Sequence, residues 1–130
     1  MKLVLNMNSS RSTRVLVLGI NPSGKKYRKN CSLDRLHKWM AILGYTYYSF
    51  SNVIPYTGKY KKNMVDINAL FEYSKEHDKI ISLGRFVSNI LKEQNIDHFL
   101  MPHPSPLNRQ LNDPMFEEIA LKKCSEYLRS

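Results

Sequence analysis

A chain of 130 residues, 42% apolar and 24% charged, has the make-up of one globular domain able to bury roughly two thirds of its unfolded surface. No apolar run approaches the ~20 residues of a membrane span, residues 1–7 do not make a secretory leader, and Cys31 and Cys124 fit neither a metal-ligand spacing nor a disulfide framework. Its 20 Lys and Arg against 11 Asp and Glu leave a net charge of +9, which points towards a polyanion partner.

Residues 14–20 (RVLVLGI) are a continuous β-branched and Leu run, the pattern of a strand buried on both faces. The loop GINPSG (residues 19–24) follows, and Lys25, Lys26, Arg28 and Lys29 come after it. A helix is expected to start at Ser32 and to carry Leu33, Leu36, Trp39, Met40 and Leu43 at helical spacing as far as Gly44. Residues 45–54 (YTYYSFSNVI) read as a second strand, stopped by Pro55 and followed by Lys59, Lys61 and Lys62. A short helix over residues 66–73 precedes a third buried strand, residues 79–83 (KIISL), which ends at Gly84. The next helix runs through Val87, Ile90 and Leu91, and residues 97–101 (DHFLM) form a fourth strand. Asp113 and Pro114 open a last helix with Phe116, Ile119, Ala120 and Tyr127 on its apolar side.

Short buried strands alternating with helices predict an α/β fold: a single domain, with a mainly parallel, four-stranded twisted sheet and helices on both faces. Ligands of such sheets bind outside the carboxyl ends of the strands. Asn21, Asn52, Gly84 and His103 all fall at those ends, which marks one cleft. Between the last strand and helix stands HPSPLN (residues 103–108), whose prolines forbid helix and central strand alike. A stiff loop there presents an imidazole, a hydroxyl and an exposed Leu in fixed relation.

The segment GINPSGKK nearly spells the phosphate-cradling GxxxxGK[ST] motif. Lys26 occupies the place of the magnesium-binding hydroxyl, however, and Pro22 removes a backbone donor from a loop that should offer donors. A triphosphatase is therefore not expected. A domain binding a free nucleotide remains as an alternative.

Taken with the rest of the chain, these segments resemble the uracil-DNA glycosylase superfamily. GINPS is similar to the first motif of the mismatch-specific uracil/thymine branch, and HPSPL (residues 103–107) to the second motif of the classical uracil branch. Arg35, Trp39, Gly44 and Tyr45, the FSNV segment (residues 50–53) and LGR (residues 83–85) stand between them in the family's order. The resemblance implies a protein that flips uracil, or a mismatched or modified pyrimidine, out of DNA and hydrolyses its N-glycosidic bond. It implies catalytic roles for Asn21 and His103, and base-binding roles for Asn52 and for Tyr27 as an aromatic floor. Asn21 would hold the attacking water and neutral His103 would donate to the leaving oxygen. Leu107 would fill the vacated stack, Ser23 and Ser105 would bond phosphates, and Lys25, Lys26, Arg85 and Arg109 would attract the backbone.

No cofactor is expected, and His37, His77 and His98 show no metal spacing with the cysteines. The expected partner is DNA, bound by a cytoplasmic monomer. Asn21 stands where the efficient uracil-specific branch carries Asp. That leaves open a catalytically silent relative that binds DNA or senses an unusual base. In an active enzyme, Asn21→Asp is expected to retain or raise activity.

Overall fold

The computed structural model describes residues 13–130. Arg11 and the N-terminal stretch considered as a leader lie outside the described residues. Strands β1 (Val15–Gly19), β2 (Ser49–Asn52), β3 (Lys79–Leu83) and β4 (Phe99–Met101) form an all-parallel sheet in the order β2-β1-β3-β4. The helices are α1 (Ser32–Leu43), α2 (Ile67–Lys75), α3 (Arg85–Glu93) and α4 (Pro114–Arg129), with single 3-10 turns at Lys62–Met64 and Arg109–Asn112. This is an α/β fold.

The unbroken apolar run of β1 follows from its place in the middle of the sheet. Side chains alternate across a strand, so both faces of a covered strand must be apolar. Val15 and Val17, with Ile81, Leu83 and Met101, pack against Leu36, Trp39 and Met40 of α1 and Cys124 and Leu128 of α4. Leu16 and Leu18, with Ile80, pack on the opposite face against Leu70 of α2 and Val87, Ile90 and Leu91 of α3. Helices therefore cover both faces, α1 and α4 on one and α2 and α3 on the other. The indole N–H of Trp39 donates to Glu117 Oε2 at 2.6 Å and ties α1 to α4.

Helix boundaries follow local chemistry. Asp66 caps α2 by accepting from the Ala69 N–H at 3.0 Å, and Asp113 caps α4 by accepting from the Met115 N–H at 3.0 Å. Pro114 takes the first position of α4, where its missing N–H costs nothing.

Two strand boundaries and one residue of a helix face differ from the sequence reading. The second strand spans Ser49–Asn52 rather than residues 45–54, because Tyr45 turns into the α1/α4 core directly after Gly44. Beyond its end, the N–H groups of Val53 and Ile54 still donate to the Gly19 and Ile20 carbonyls, both at 2.9 Å. The fourth strand begins at Phe99, since His98 instead donates from Nδ1 to the Ile96 carbonyl and accepts from the Ser88 hydroxyl. Ile119 is exposed on α4, off the inward stripe of Phe116, Ala120, Cys124 and Leu128 that recurs every four residues.

The strand order creates a switch point. The chain leaves β1 towards α1 on one face, and leaves β3 towards α3 on the other. The carboxyl ends of these adjacent strands thus border a crevice of the kind in which parallel sheets hold ligands.

Candidate functional site at the carboxyl edge of the sheet

Gly19 ends β1 in register with Asn52, the last residue of β2. A Cβ at Gly19 would lie 2.9 Å from Asn52 Oδ1 and 3.1 Å from Phe50 Cζ. The missing side chain is thus what allows the Asn52 amide and the Phe50 ring to lie over the end of the central strand. Phe50 and Asn52 are two residues apart on β2, so they share a face, and Phe50 is partly exposed.

One strand further along the edge, Gly84 joins β3 to α3 at φ 90°, a backbone conformation that favours glycine. Its N–H donates to the Met101 carbonyl at 2.8 Å, carrying the β3–β4 pairing to the lip of the crevice. A Cβ here would lie 3.6 Å from His103 Cβ and 3.7 Å from Cδ2, so His103 leans on this turn.

The HPSPLN loop fixes the imidazole chemically as well as in space. The Ser105 N–H donates to His103 Nδ1 at 3.2 Å, so in the neutral ring the proton resides on Nε2, which has no partner among the described residues. The Asn108 side-chain amide donates to the His103 carbonyl at 2.9 Å, and the Asn108 N–H donates to the Ser105 carbonyl at 3.0 Å. Burial pushes the His103 pKa below the usual imidazole value, because the charged form loses solvation. The result is a half-buried, neutral imidazole with a free Nε2–H donor. Leu107 stands at the tip of the same loop, 88% exposed.

Asn21 has a task the sequence did not disclose. Its side-chain amide donates to two carbonyls, Tyr56 at 3.0 Å and Gly58 at 2.9 Å, tying the loop after β1 to the loop after β2. Both amide protons are thereby used, and only Oδ1 remains to accept from a water. A carboxylate at this position would face two carbonyls with no proton to give. Asn21→Asp would therefore remove both bonds of this tie.

Ser23 and Ser105 make local turns: each Oγ accepts from a backbone N–H two residues on, Lys25 and Leu107 respectively, both at 3.1 Å. Each hydroxyl keeps its own proton for donation. Lys25, Lys26, Arg85 and Arg109 are exposed along this edge. Tyr27 is a surface residue whose phenol donates to Asp34 Oδ1 at 2.5 Å. That bond holds the phenol proton up to about 12 and the Asp34 carboxyl down to about 2. The aromatic ring that shares a face with Asn52 is Phe50, while Tyr27 lies against α1. Alternation from Asn52 along β2 was the sequence signal that could have found Phe50.

Asn21 after β1, Asn52 at the end of β2 and His103 after β4 thus all stand at carboxyl ends of the one sheet. Arg35, in the first turns of α1, was also missed as a buried group: its Nη1 has no hydrogen-bond partner among the described residues. Two cavities lie elsewhere, one of about 430 Å³ by the amino ends of β1 and β2 and one of about 260 Å³ between α1 and α4. Neither is lined by Asn21, Asn52 or His103. Among the described residues no group of three or more His, Cys, Asp or Glu could hold a metal ion, and no helix is long and apolar enough to cross a membrane.

Fold and edge together define a parallel α/β protein with polar and aromatic groups along the carboxyl edge of its sheet. Comparison with known proteins adds nothing further: no family model, curated protein or solved structure matches this chain.

Proposed function

We propose that the protein is a uracil-DNA-glycosylase-like hydrolase that acts on uracil, or on a mismatched or modified pyrimidine, in DNA. The observation that carries this reading is the neutral His103 with its Nε2–H free, on the same edge as the Asn52 amide and the Phe50 ring. Breaking an N-glycosidic bond leaves negative charge on a carbonyl oxygen of the departing base. A fixed donor that needs no reorganisation is the most useful group for that charge. Asn52 offers a donor and an acceptor side by side, the complement of a pyrimidine edge, and Phe50 offers a ring face.

In the reaction, a water accepted by Asn21 Oδ1 adds its oxygen to the anomeric carbon as the C–N bond breaks. The bond's electron pair leaves with the base, whose oxygen accepts from His103 Nε2–H, and the water loses a proton to solvent. No metal or covalent nucleophile is needed. Because the base is unreachable in a stacked duplex, Leu107 serves as the wedge that fills the space it vacates, at an unstacking cost of a few kcal/mol.

A second reading is supported by Asn21. An amide cannot ionise to stabilise a cationic sugar, and both its protons are committed to holding a loop. That suits a silent relative that captures an unusual base without excising it. Single-turnover kinetics on uracil-containing oligonucleotides separate the two. The enzyme loses roughly 10²–10³-fold in rate on His103→Ala, as for one oxyanion donor, with DNA affinity little changed. Equal rates in parent and variant would make the imidazole structural. Binding with no turnover in the parent would leave the silent relative.

A further inference from the structure

Two basic loops far apart in sequence form one surface. The Asn21 amide bonds to the Tyr56 and Gly58 carbonyls, and a Cβ at Gly24 would lie 3.5 Å from Thr57 Cγ2. The loops after β1 and β2 therefore touch, residues 21–24 against 56–58, at the carboxyl edge. Lys25, Lys26, Arg28, Lys29, Lys59 and Lys61 are all exposed, and none forms an ion pair among the described residues. Lys62 differs, being paired with Glu93 at 2.5 Å.

Aromatic rings are set among these cations. Tyr27 is 56%, Tyr56 62% and Tyr60 43% exposed. Each is held by something other than a core. Tyr27 is anchored through its phenol to Asp34, and Tyr56 through its carbonyl to Asn21. Tyr60 packs edge-on against Phe86 at 4.8 Å between ring centroids. The Tyr27 and Tyr60 rings, fixed at the rim and open to solvent, can stack at little further ordering cost, and Tyr56 is placed beside them by its backbone.

We propose that this two-loop surface is a binding platform for single-stranded DNA, its cations following the phosphates and its tyrosines stacking on successive bases. A duplex presents phosphates but keeps its base faces in its own stack, so it could use the cations and not the rings. A single strand uses both. The preference for a single strand does not depend on base excision; only the choice of DNA rests on that reading.

The test is a fluorescence-anisotropy titration of the full chain, at one fixed salt, with an oligothymidylate of ~12 nucleotides, a duplex of the same length and the matching oligouridylate. The oligothymidylate is expected to bind at least about tenfold more tightly than the duplex, with the oligouridylate weaker. Tyr56→Ala and Tyr27→Ala should each cost the single strand about tenfold and leave the duplex nearly unchanged, since stacking on one ring is worth that much. Ile42→Ala, an exposed change on α1, should leave single-strand affinity as it is. Equal or tighter duplex binding, or tyrosine variants that bind the single strand like the parent, would overturn the platform. Tighter binding of oligouridylate would overturn the assignment to DNA. Since the oligothymidylate carries no uracil, failure of excision leaves this result untouched, and a duplex-only binder could still excise.

Discussion

His103 Nε2 carries a proton in the neutral and the charged ring alike, but the loop that positions it is built around the neutral form. Protonation would place a hydrogen on Nδ1, where the Ser105 N–H now donates, and would charge a half-buried ring. The excision rate should therefore stay level through neutral pH and fall only with an acid midpoint below the ordinary imidazole value of 6.5. A pH profile of the single-turnover rate with its midpoint at or above 6.5 would contradict the assignment. Stability carries the same sign. The unfolded chain binds this proton at higher pH than the folded one, so the contribution is complete above 6.5 and is lost as pH falls towards the lower folded value. For Asn21→Asp the expected outcome is loss: lower DNA affinity and a lower melting temperature at neutral pH, measured against Asn21→Ala. Two carbonyls facing a new carboxylate fare worse than two carbonyls facing water. The HPSPLN loop was legible because two prolines allow it few conformations. The task of Asn21 was not, because its partners lie 35 and 37 residues away and are backbone carbonyls, which leave no mark in a sequence.

At the scale of elements, most of the fold could be read from the chain. The β1 run, the Asp113 cap and the helical spacing in α1 each carry a local cause, and each appears where that cause placed it. The misreadings concern edges. The aromatic content of residues 45–54 suggested a long strand, yet pairing with β1 limits the ladder, and Tyr45 finds better burial in the core. Ile119 is apolar but sits off the inward stripe of α4, so burial goes to Cys124 and Leu128 instead. The α1–α4 contact depends on Trp39, which fills the core with its ring and bonds Glu117 with its N–H. Trp39→Ala should lower unfolding free energy by about 3–5 kcal/mol in urea titrations, whereas exposed Ile42→Ala should change it by no more than ~0.5 kcal/mol. A small effect at Trp39 would mean that the two helices are held by something other than this contact.

For the whole molecule, part of the +9 charge is gathered on two adjoining loops. The clusters were plain in the sequence. That they adjoin across the Asn21 tie was not, since only folding brings them together. DNA affinity should fall steeply with salt, and replacing Lys25 and Lys26 by Ala should make the log–log slope shallower by about 0.9 for each phosphate that is no longer neutralised. Base preference should not change, because phosphate contacts position a protein and do not specify sequence. An unchanged slope would place the phosphate-binding cations elsewhere. The central claim, that the Asn52, Phe50 and His103 edge breaks a glycosidic bond, is tested most directly by looking for the released base. Incubation of the protein with a uracil-containing oligonucleotide, followed by chromatography of the small-molecule fraction, should yield free uracil and an alkali-labile abasic strand, with His103→Ala releasing it far more slowly. Intact oligonucleotide after prolonged incubation with uracil, mismatched thymine and hydroxymethylated pyrimidine substrates, under conditions where the protein is bound to each, would contradict it.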